Sequence, residues 1–393
     1  MNILIISSFF PPHKGGIETA AYNTAIKLVE FGHNIVVLTG RWGNANYKCK
    51  KIRNFLVYRL KTFFPPEIKF LPQSSSFGIM PSAIIRINQI IKKHKIQLIH
   101  IIGRFYPISI LAAIQNLLFF KMPMVISIQA RLDPGIMRAL EHIFDRIITR
   151  FIYNHMSKII CVSKSLKKRL ENYKINKNKL VMIPNGVDTM LFSTQHSSCL
   201  LDKYISQKAD CKKIFFAGRL SLQKGVQYLL KAIPIVVNHY ENVHFFILGN
   251  GNLECKLKKL ADDLNINSYV TFLDMIPLNE MPNYYSSTDI FCLPSIHEGF
   301  PLTIAEALST GLIIVASATE GIPEVISEYK NGFLAEPGDF HTLAQKLVLA
   351  LNLDKEKISN IRKNNILLAT LEYSWDSIIK RVECVYKNLY SYP

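Results

Sequence analysis

Short apolar runs, each followed by a turn and then by a stretch of helical spacing, recur along the whole chain. In the first half NILIISS precedes a helical stretch from about Glu18 to Glu30. NIVVLTG follows, then QLIHIIG with ISILAAIQNLLFF after it, MVISIQ, and KIICVS with KSLKKRLENY. Near-continuous Val, Ile and Leu runs of this length predict strands buried on both faces, and the helical stretches between them predict crossovers. A parallel sheet wound on both faces by helices is expected. The pattern restarts with KIFFAGR, HFFILGN, YVTFLDM, DIFCLPS, LIIVAS and GFLAE. Two Rossmann-like α/β domains are therefore expected, with the boundary between Val187 and Lys212, where the chain is polar and irregular.

Open parallel sheets bind ligands at the carboxyl ends of their strands, so two such domains facing each other make a cleft between those ends. The segment after DIFCLPS, HEGFPLTIAE from His297 to Glu306, sets two carboxylates around a Gly-Phe-Pro turn and a helix read from Thr303 to Gly311. A helix start offers unpaired N–H groups, here from about Leu302 to Ile304, and a positive dipole end, which together favour an anion. Glu306 lies about one turn inside. Arg219 and Lys224 follow KIFFAG. A planar fork of donors and a compact point charge there can neutralise a diphosphate, the part a divalent metal plays elsewhere, so no metal site is expected. In PPHKGGIE, Gly15 and Gly16 permit close backbone approach to a phosphate or sugar, although a plain tight turn fits equally well. Gly249 to Gly251 close ILGNG, and Asn185 to Asp188 read as an ordered hinge-side turn.

The strings PPHKGGIE (11–18), IPNGVD (183–188), FFAGRLSLQKG (215–225), ILGNG (247–251), EGFPLTIAE (298–306) and EGIPEVISEYKNGFLAEPGD (320–339) together resemble the retaining glycosyltransferases of family four, group one. That resemblance covers most of the chain and implies the GT-B fold. Its domains would be 1–190 for the acceptor, 191–372 for a nucleotide sugar, and a helix over 373–393 crossing back to the first domain. It implies that Glu306 holds the ribose hydroxyls of the donor and that Glu298 sits by the donor sugar. Arg219 and Lys224 would neutralise the leaving diphosphate, and Gly249 would lie by the base. Gly299, Phe300, Pro301, Leu302 and Thr303 would complete the donor loop, while Gly15 and Gly16 reach the donor phosphates and the acceptor. Glu298, Arg219 and Lys224 become the catalytic candidates. One position departs from the family: where many relatives carry His-Gly after the strand matching MVISI, this chain has Gln129-Ala130. Gln129 can hydrogen-bond a sugar but cannot serve as a base at neutral pH. Acceptor contacts are assigned to Gln129 and Arg131, with Asp133 and His142 as substitutes. His13 and His297 read as isolated histidines, and only His297, beside Glu298, is a candidate for a sugar contact.

Composition narrows the partners. The 393 residues, 49% of them hydrophobic, suffice for two or three packed domains. Arg104 and Lys121 bracket the longest apolar stretch, short of the roughly 20 residues a spanning helix needs. The opening MNILIISSFF lacks a basic leader and a small-residue cleavage site, so it reads as a first buried strand. Seven cysteines without CxxC spacing argue against a metal cluster or a disulfide framework and for a reducing compartment. The net charge of +18 is lopsided: residues 1–195 carry 28 Lys and Arg against 8 Asp and Glu, whereas residues 196–393 carry 19 against 21. Such asymmetry points to an anionic partner. Membrane and phosphorylated acceptor are kept here, and nucleic acid is set aside. The stretch Ser82 to Lys95 sets Ile84, Ile85, Ile87, Ile90 and Ile91 against Arg86, Lys92, Lys93 and Lys95, which fits either a helix lying on an anionic bilayer or a core-packed helix with a basic edge.

The expected activity is transfer of a hexose-type sugar from a UDP- or GDP-linked donor, with no cofactor, to a lipid-linked or saccharide acceptor. The expected location is the cytoplasm, at the inner face of the plasma membrane. A nucleotide-sugar epimerase or hydrolase on the same fold, and a non-catalytic membrane-binding relative, are the alternatives.

Overall fold

The computed structural model describes residues 1–13, 15–42, 48–63, 78–103, 106–129, 150–193, 200–205 and 210–390. The chain forms two compact units, one of Met1–Asn185 with Trp375–Pro393 and one of Gly186–Ser374.

The first unit holds an eight-stranded sheet. Its strands are β1 (Asn2–Ile6), β2 (Asn34–Gly40), β3 (Cys49–Ile52), β4 (Phe55–Leu60), β5 (Leu98–Ile102), β6 (Met124–Ile128), β7 (Lys158–Cys161) and β8 (Leu180–Met182), in the order β3-β4-β2-β1-β5-β6-β7-β8. β1 lies parallel between β2 and β5, with Ile3 opposite Ile35 on one side and Leu98 on the other. β5 and β6 are buried along their whole length, which is why their sequences run apolar without alternation. The β3–β4 hairpin is antiparallel and β8 is three residues long, and the apolar-run pattern contains neither. CKKI has no apolar face because it is an edge strand with three exposed residues, and Arg53 turns the hairpin in the left-handed region.

Helix Gly16–Glu30 buries Ala20, Ala21, Ala25 and Leu28, and helix Trp375–Asn388 buries Trp375, Ile378, Ile379, Val382, Val385 and Tyr386, an amphipathic stripe. Both stripes enter the core formed with Ile3, Ile5, Val37 and Leu98. The Tyr386 hydroxyl meets Nδ1 of His100, whose Nε2 lies 2.7 Å from the Ser127 hydroxyl. Burial pushes His100 down to about 3, so the ring is neutral and its polar edges are satisfied within the core.

One helical expectation is corrected. ISILAAIQNLLFF is not one regular helix: Pro107–Gln115 is α-helical, and Asn116–Phe120 forms a wider π turn. On helix Ala83–Lys93, Ile87, Ile90 and Ile91 are buried with Ala83, but Ile84 and Ile85 stand outside the core.

The second unit is an all-parallel six-stranded sheet. β9 (Lys212–Ala217), β10 (Val243–Leu248), β11 (Val270–Leu273), β12 (Ile290–Leu293), β13 (Ile313–Ser317) and β14 (Gly332–Ala335) follow the order β11-β10-β9-β12-β13-β14. From β9 the chain builds outward to β10 and β11, then returns to place β12 on the other side of β9. The loops after β9 and β12 diverge at this reversal, and an open sheet presents its ligand crevice there.

Candidate active site

The reversal brings together residues far apart in the chain. After β9, a short 3-10 turn, Leu222–Lys224, ends at Gly225, whose φ of +69° suits glycine. A Cβ there would lie 1.9 Å from the Pro294 carbonyl oxygen, so Gly225 lets the β9 loop press against the end of β12. The two loops are then stitched: Ile296 N–H donates to the Gln223 carbonyl at 2.8 Å, and the Gln223 side-chain amide donates to the His297 carbonyl at 2.9 Å. This stitching sets the Lys224 ammonium directly on Glu298. Ser295 Oγ donates to the same carboxylate oxygen at 2.9 Å. Glu298 is 7% exposed, so its charge is held in a largely dry site by one cation and one hydroxyl. The sequence put these two residues in separate roles; the structure pairs them.

Arg219, from the same loop, is exposed and makes no ion pair with the described residues. Its loop is braced by the ILGNG turn. A Cβ on Gly249 would lie 1.9 Å from the Gly218 carbonyl oxygen, and Leu220 N–H donates to the Asn250 carbonyl at 2.8 Å. Close backbone packing is thus a structural reason for Gly249 beside any ligand role.

Beyond Glu298, Gly299 is partly exposed, Phe300 is buried against Tyr373 with ring centroids 5.2 Å apart, and Pro301 caps helix Leu302–Ser309 in extended geometry. The N–H groups expected to be open from about Leu302 to Ile304 are fewer, because Ile304 donates to the Pro301 carbonyl at 3.1 Å. Leu302 and Thr303 remain, and Thr303 adds a buried hydroxyl with no partner among the described residues. Two N–H groups without a partner among the described residues and a hydroxyl at a helix start are able to seat an anion.

Glu306, one turn further, is 9% exposed and accepts from the Tyr285 hydroxyl at 2.7 Å. Burial raises its pKa to about 7, with the Tyr285 hydrogen bond pulling the other way. Burial also raises Tyr285 well above the ordinary phenol value, so Tyr285 stays a proton donor. Oε2 is engaged by Tyr285, and Oε1 has no hydrogen-bond partner among the described residues. His297 Nδ1 lies 3.6 Å from Glu320 Oε1, which makes it part of a side-chain pair rather than an isolated histidine.

In the first unit, the loop after β1 carries the glycine pair. Gly15 precedes helix Gly16–Glu30 without a side-chain cap, and the first-turn Glu18 is buried against the His13 ring. His13 is therefore not isolated either: it packs on Phe9 and Trp42 at 4.9 and 5.0 Å between centroids. Gln129 follows β6 directly, two strands from β1 in the same sheet, with its amide oxygen buried and unpartnered among the described residues. The loop that ends at Gly15, and Gln129, both follow the carboxyl ends of strands in this sheet, β1 and β6, with β5 between them. Arg131, Asp133 and His142 lie outside the described residues. Three contributors escaped the sequence reading. Ser295 and Glu18 sit inside motifs read for other residues, and Tyr285 in NYYSSTD looks like an ordinary core aromatic.

Two Rossmann-like units, one with a mainly parallel sheet and one with an all-parallel sheet, are the pair of domains that a GT-B transferase combines. The Glycosyltransferase Family 4 profile matches residues 14–191 and the Glycosyl transferases group 1 profile matches residues 202–367. The chain belongs to the group 1 glycosyltransferases of the GT-B fold. It is 26% identical over 392 residues to a phosphatidylinositol N-acetylglucosaminyltransferase subunit of Arabidopsis thaliana, covering 98% of this chain and 81% of that protein. It is 27% identical over 401 residues to an uncharacterized glycosyltransferase of Methanocaldococcus jannaschii, covering 98% of each. In fold it is similar to sucrose-phosphate synthase from Thermosynechococcus elongatus, with a TM-score of 0.85 at 18% identity over the whole of both chains. Anabaena HepE in complex with UDP-glucose superposes with a TM-score of 0.75 at 20% identity, also over both whole chains.

Proposed function

We propose that this chain is a retaining, metal-independent hexosyltransferase. It moves a sugar from a UDP- or GDP-linked donor to an acceptor carried on a lipid or on a polysaccharide intermediate, working on the cytoplasmic face of a membrane. The observation that carries the reading is the Lys224–Glu298 pair, held by Ser295 and set at the sheet reversal beside the anion seat at Leu302 and Thr303. HepE in complex with UDP-glucose, and relatives named for transfer of N-acetylglucosamine to phosphatidylinositol, support the donor and acceptor classes.

In this mechanism the donor diphosphate takes the Leu302 and Thr303 N–H groups and the Thr303 hydroxyl, with Arg219 supplying a forked charge. As the sugar–oxygen bond breaks, negative charge grows on the leaving phosphate, and Lys224 turns part of its charge toward it. Preorganised donors of this kind stabilise the transition state more than the ground state. Glu298 faces the positive charge developing on the sugar and orients the ring. The acceptor hydroxyl attacks on the face the diphosphate leaves, and its proton passes to the departing phosphate oxygen. Glu306 takes the ribose hydroxyls, Gly249 lies at the base, and Gln129 hydrogen-bonds the acceptor. Among the described residues no helix is long and apolar enough to cross a membrane.

A thermal-shift screen of nucleotide sugars, followed by transfer to membrane lipid extracts with and without EDTA, tests the reading. Transfer that needs manganese or magnesium would overturn the metal-independent mechanism, and product formed from donor alone would favour epimerisation or hydrolysis.

A further inference from the structure

We propose that one face of the first unit, built from the start of helix Ala83–Lys93 and the Asn116–Phe120 π turn, is an apolar wedge that inserts into the interfacial layer of an anionic membrane. The proposal rests on the reading above that the acceptor is membrane-borne. It goes further by naming the inserting surface.

Ile84 and Ile85 are 54% and 63% exposed, and Leu118 and Phe119 are 62% and 66% exposed. Single exposed apolar residues are ordinary; a contiguous group calls for a partner. The Gln115 side-chain amide donates to the Ile84 carbonyl, which ties the end of one helix to the start of the other and sets the two exposed pairs on neighbouring elements. Ile114, also exposed, lies beside that tie.

The exposure of Phe119 is produced by the π turn. Continued as an α-helix, the chain would carry Phe119 above Gln115 and Ala112, both on the buried side. The wider turn rotates it outward, and π turns of this kind are frequent at functional sites. Buried Asn116 pins the turn: its amide donates to the Met122 carbonyl at 2.9 Å, its carbonyl oxygen accepts from Met122 N–H at 3.1 Å, and its backbone carbonyl accepts from Lys121 N–H at 2.7 Å.

Charge identifies the occupant. From Ile68 to Leu132 the sequence contains no Asp or Glu and eight Lys or Arg. Arg86, Lys92, Lys93 and Lys121 are exposed on the elements that carry the wedge. Exposed apolar residues on elements whose charged residues are all cations match anionic headgroups above acyl chains.

Charge-only docking and insertion differ in their response to salt, since screening removes attraction between exposed charges but leaves apolar burial intact. Co-sedimentation with phosphatidylcholine vesicles, with and without phosphatidylglycerol, at low and high salt, should show anionic binding with a salt-resistant fraction. Leu118→Ser/Phe119→Ser should lose that fraction and weaken partitioning on the order of a hundredfold, from about tenfold per side chain. Lys92→Glu/Lys93→Glu should weaken low-salt binding and keep the resistant fraction. Phe119→Trp should shift its emission to the blue on anionic vesicles. If the Leu118/Phe119 variant binds like the parent at both salts, the wedge is wrong while the membrane reading stands. If the parent ignores every vesicle, both fail. A dimer in solution that the same variant dissociates would make this face a contact between copies and overturn the proposal.

Discussion

Donor binding should be coupled to the ionisation of Glu306. Its pKa of about 7 means that near neutral pH roughly half of the unliganded protein carries a protonated carboxyl at this position. Ribose hydroxyls donate to an ionised carboxylate, and Oε2 is already satisfied by the Tyr285 hydroxyl at 2.7 Å. A donor that selects the ionised form must expel the proton. Between about pH 6 and pH 8 the ionised fraction rises from ~0.09 to ~0.9, so the dissociation constant should fall about tenfold across that window. A nucleotide sugar is the right ligand, because its diphosphate is fully ionised throughout. Calorimetry in buffers of different ionisation enthalpy should show ~0.9 proton released at about pH 6 and ~0.5 at about pH 7. Tyr285→Phe removes the hydrogen bond that holds the Glu306 pKa down, so the midpoint should move upward and affinity near neutrality should drop several-fold. An affinity flat across the window, with no proton release in the folded protein, would refute the assignment of Glu306 to the ribose.

Glu306→Ala should weaken nucleotide-sugar binding, and an unchanged dissociation constant in a folded variant would reject the ribose role. Arg219→Ala and Lys224→Ala should each lower turnover on the order of a hundredfold, with less effect on donor affinity, as read by kcat against calorimetric Kd. Gly225→Ala should cost about 3 kcal/mol and lower the melting temperature by roughly 10 °C, because the new Cβ meets the Pro294 carbonyl at a left-handed backbone position. Glu306 binds more protons folded than unfolded between its ordinary value of 4.5 and about 7, so stability of the ligand-free protein should fall as pH rises through that range, by at most about 3 kcal/mol. Glu306→Gln should flatten that slope in denaturation curves.

The strands expected from sequence were legible because burial leaves near-continuous apolar runs, and every one from NILII to GFLA appears in one of the two sheets, whereas interior β4, half-buried at Leu56 and Tyr58, was not read. Nor was β3, since an edge strand with exposed Lys50 and Lys51 has no inward face to pattern. The two carboxylates of the second unit were legible from their spacing around a turn and a helix start. The contact between Lys224 and Glu298 was not, because it depends on the strand order that sets β9 beside β12, across a separation of 74 residues. Tyr285 was hidden for a simpler reason: an aromatic ring at a core position gives no sign in sequence that its hydroxyl points at a carboxylate. The outward turn of Phe119 was equally invisible, because the apolar run through Phe120 gives no sign of the wider turn that begins at Asn116.

The central claim, that the Lys224–Glu298 cluster and the helix-start anion seat perform sugar transfer with retention, is tested most directly by the anomeric configuration of the product. The protein would be incubated with its nucleotide sugar and a membrane lipid acceptor in EDTA, and the new linkage assigned by nuclear magnetic resonance. The account predicts a glycosylated lipid whose linkage keeps the donor's anomeric configuration, with Glu298→Ala forming little of it while still binding donor. An inverted linkage, or a Glu298→Ala variant as active as the parent, would contradict it.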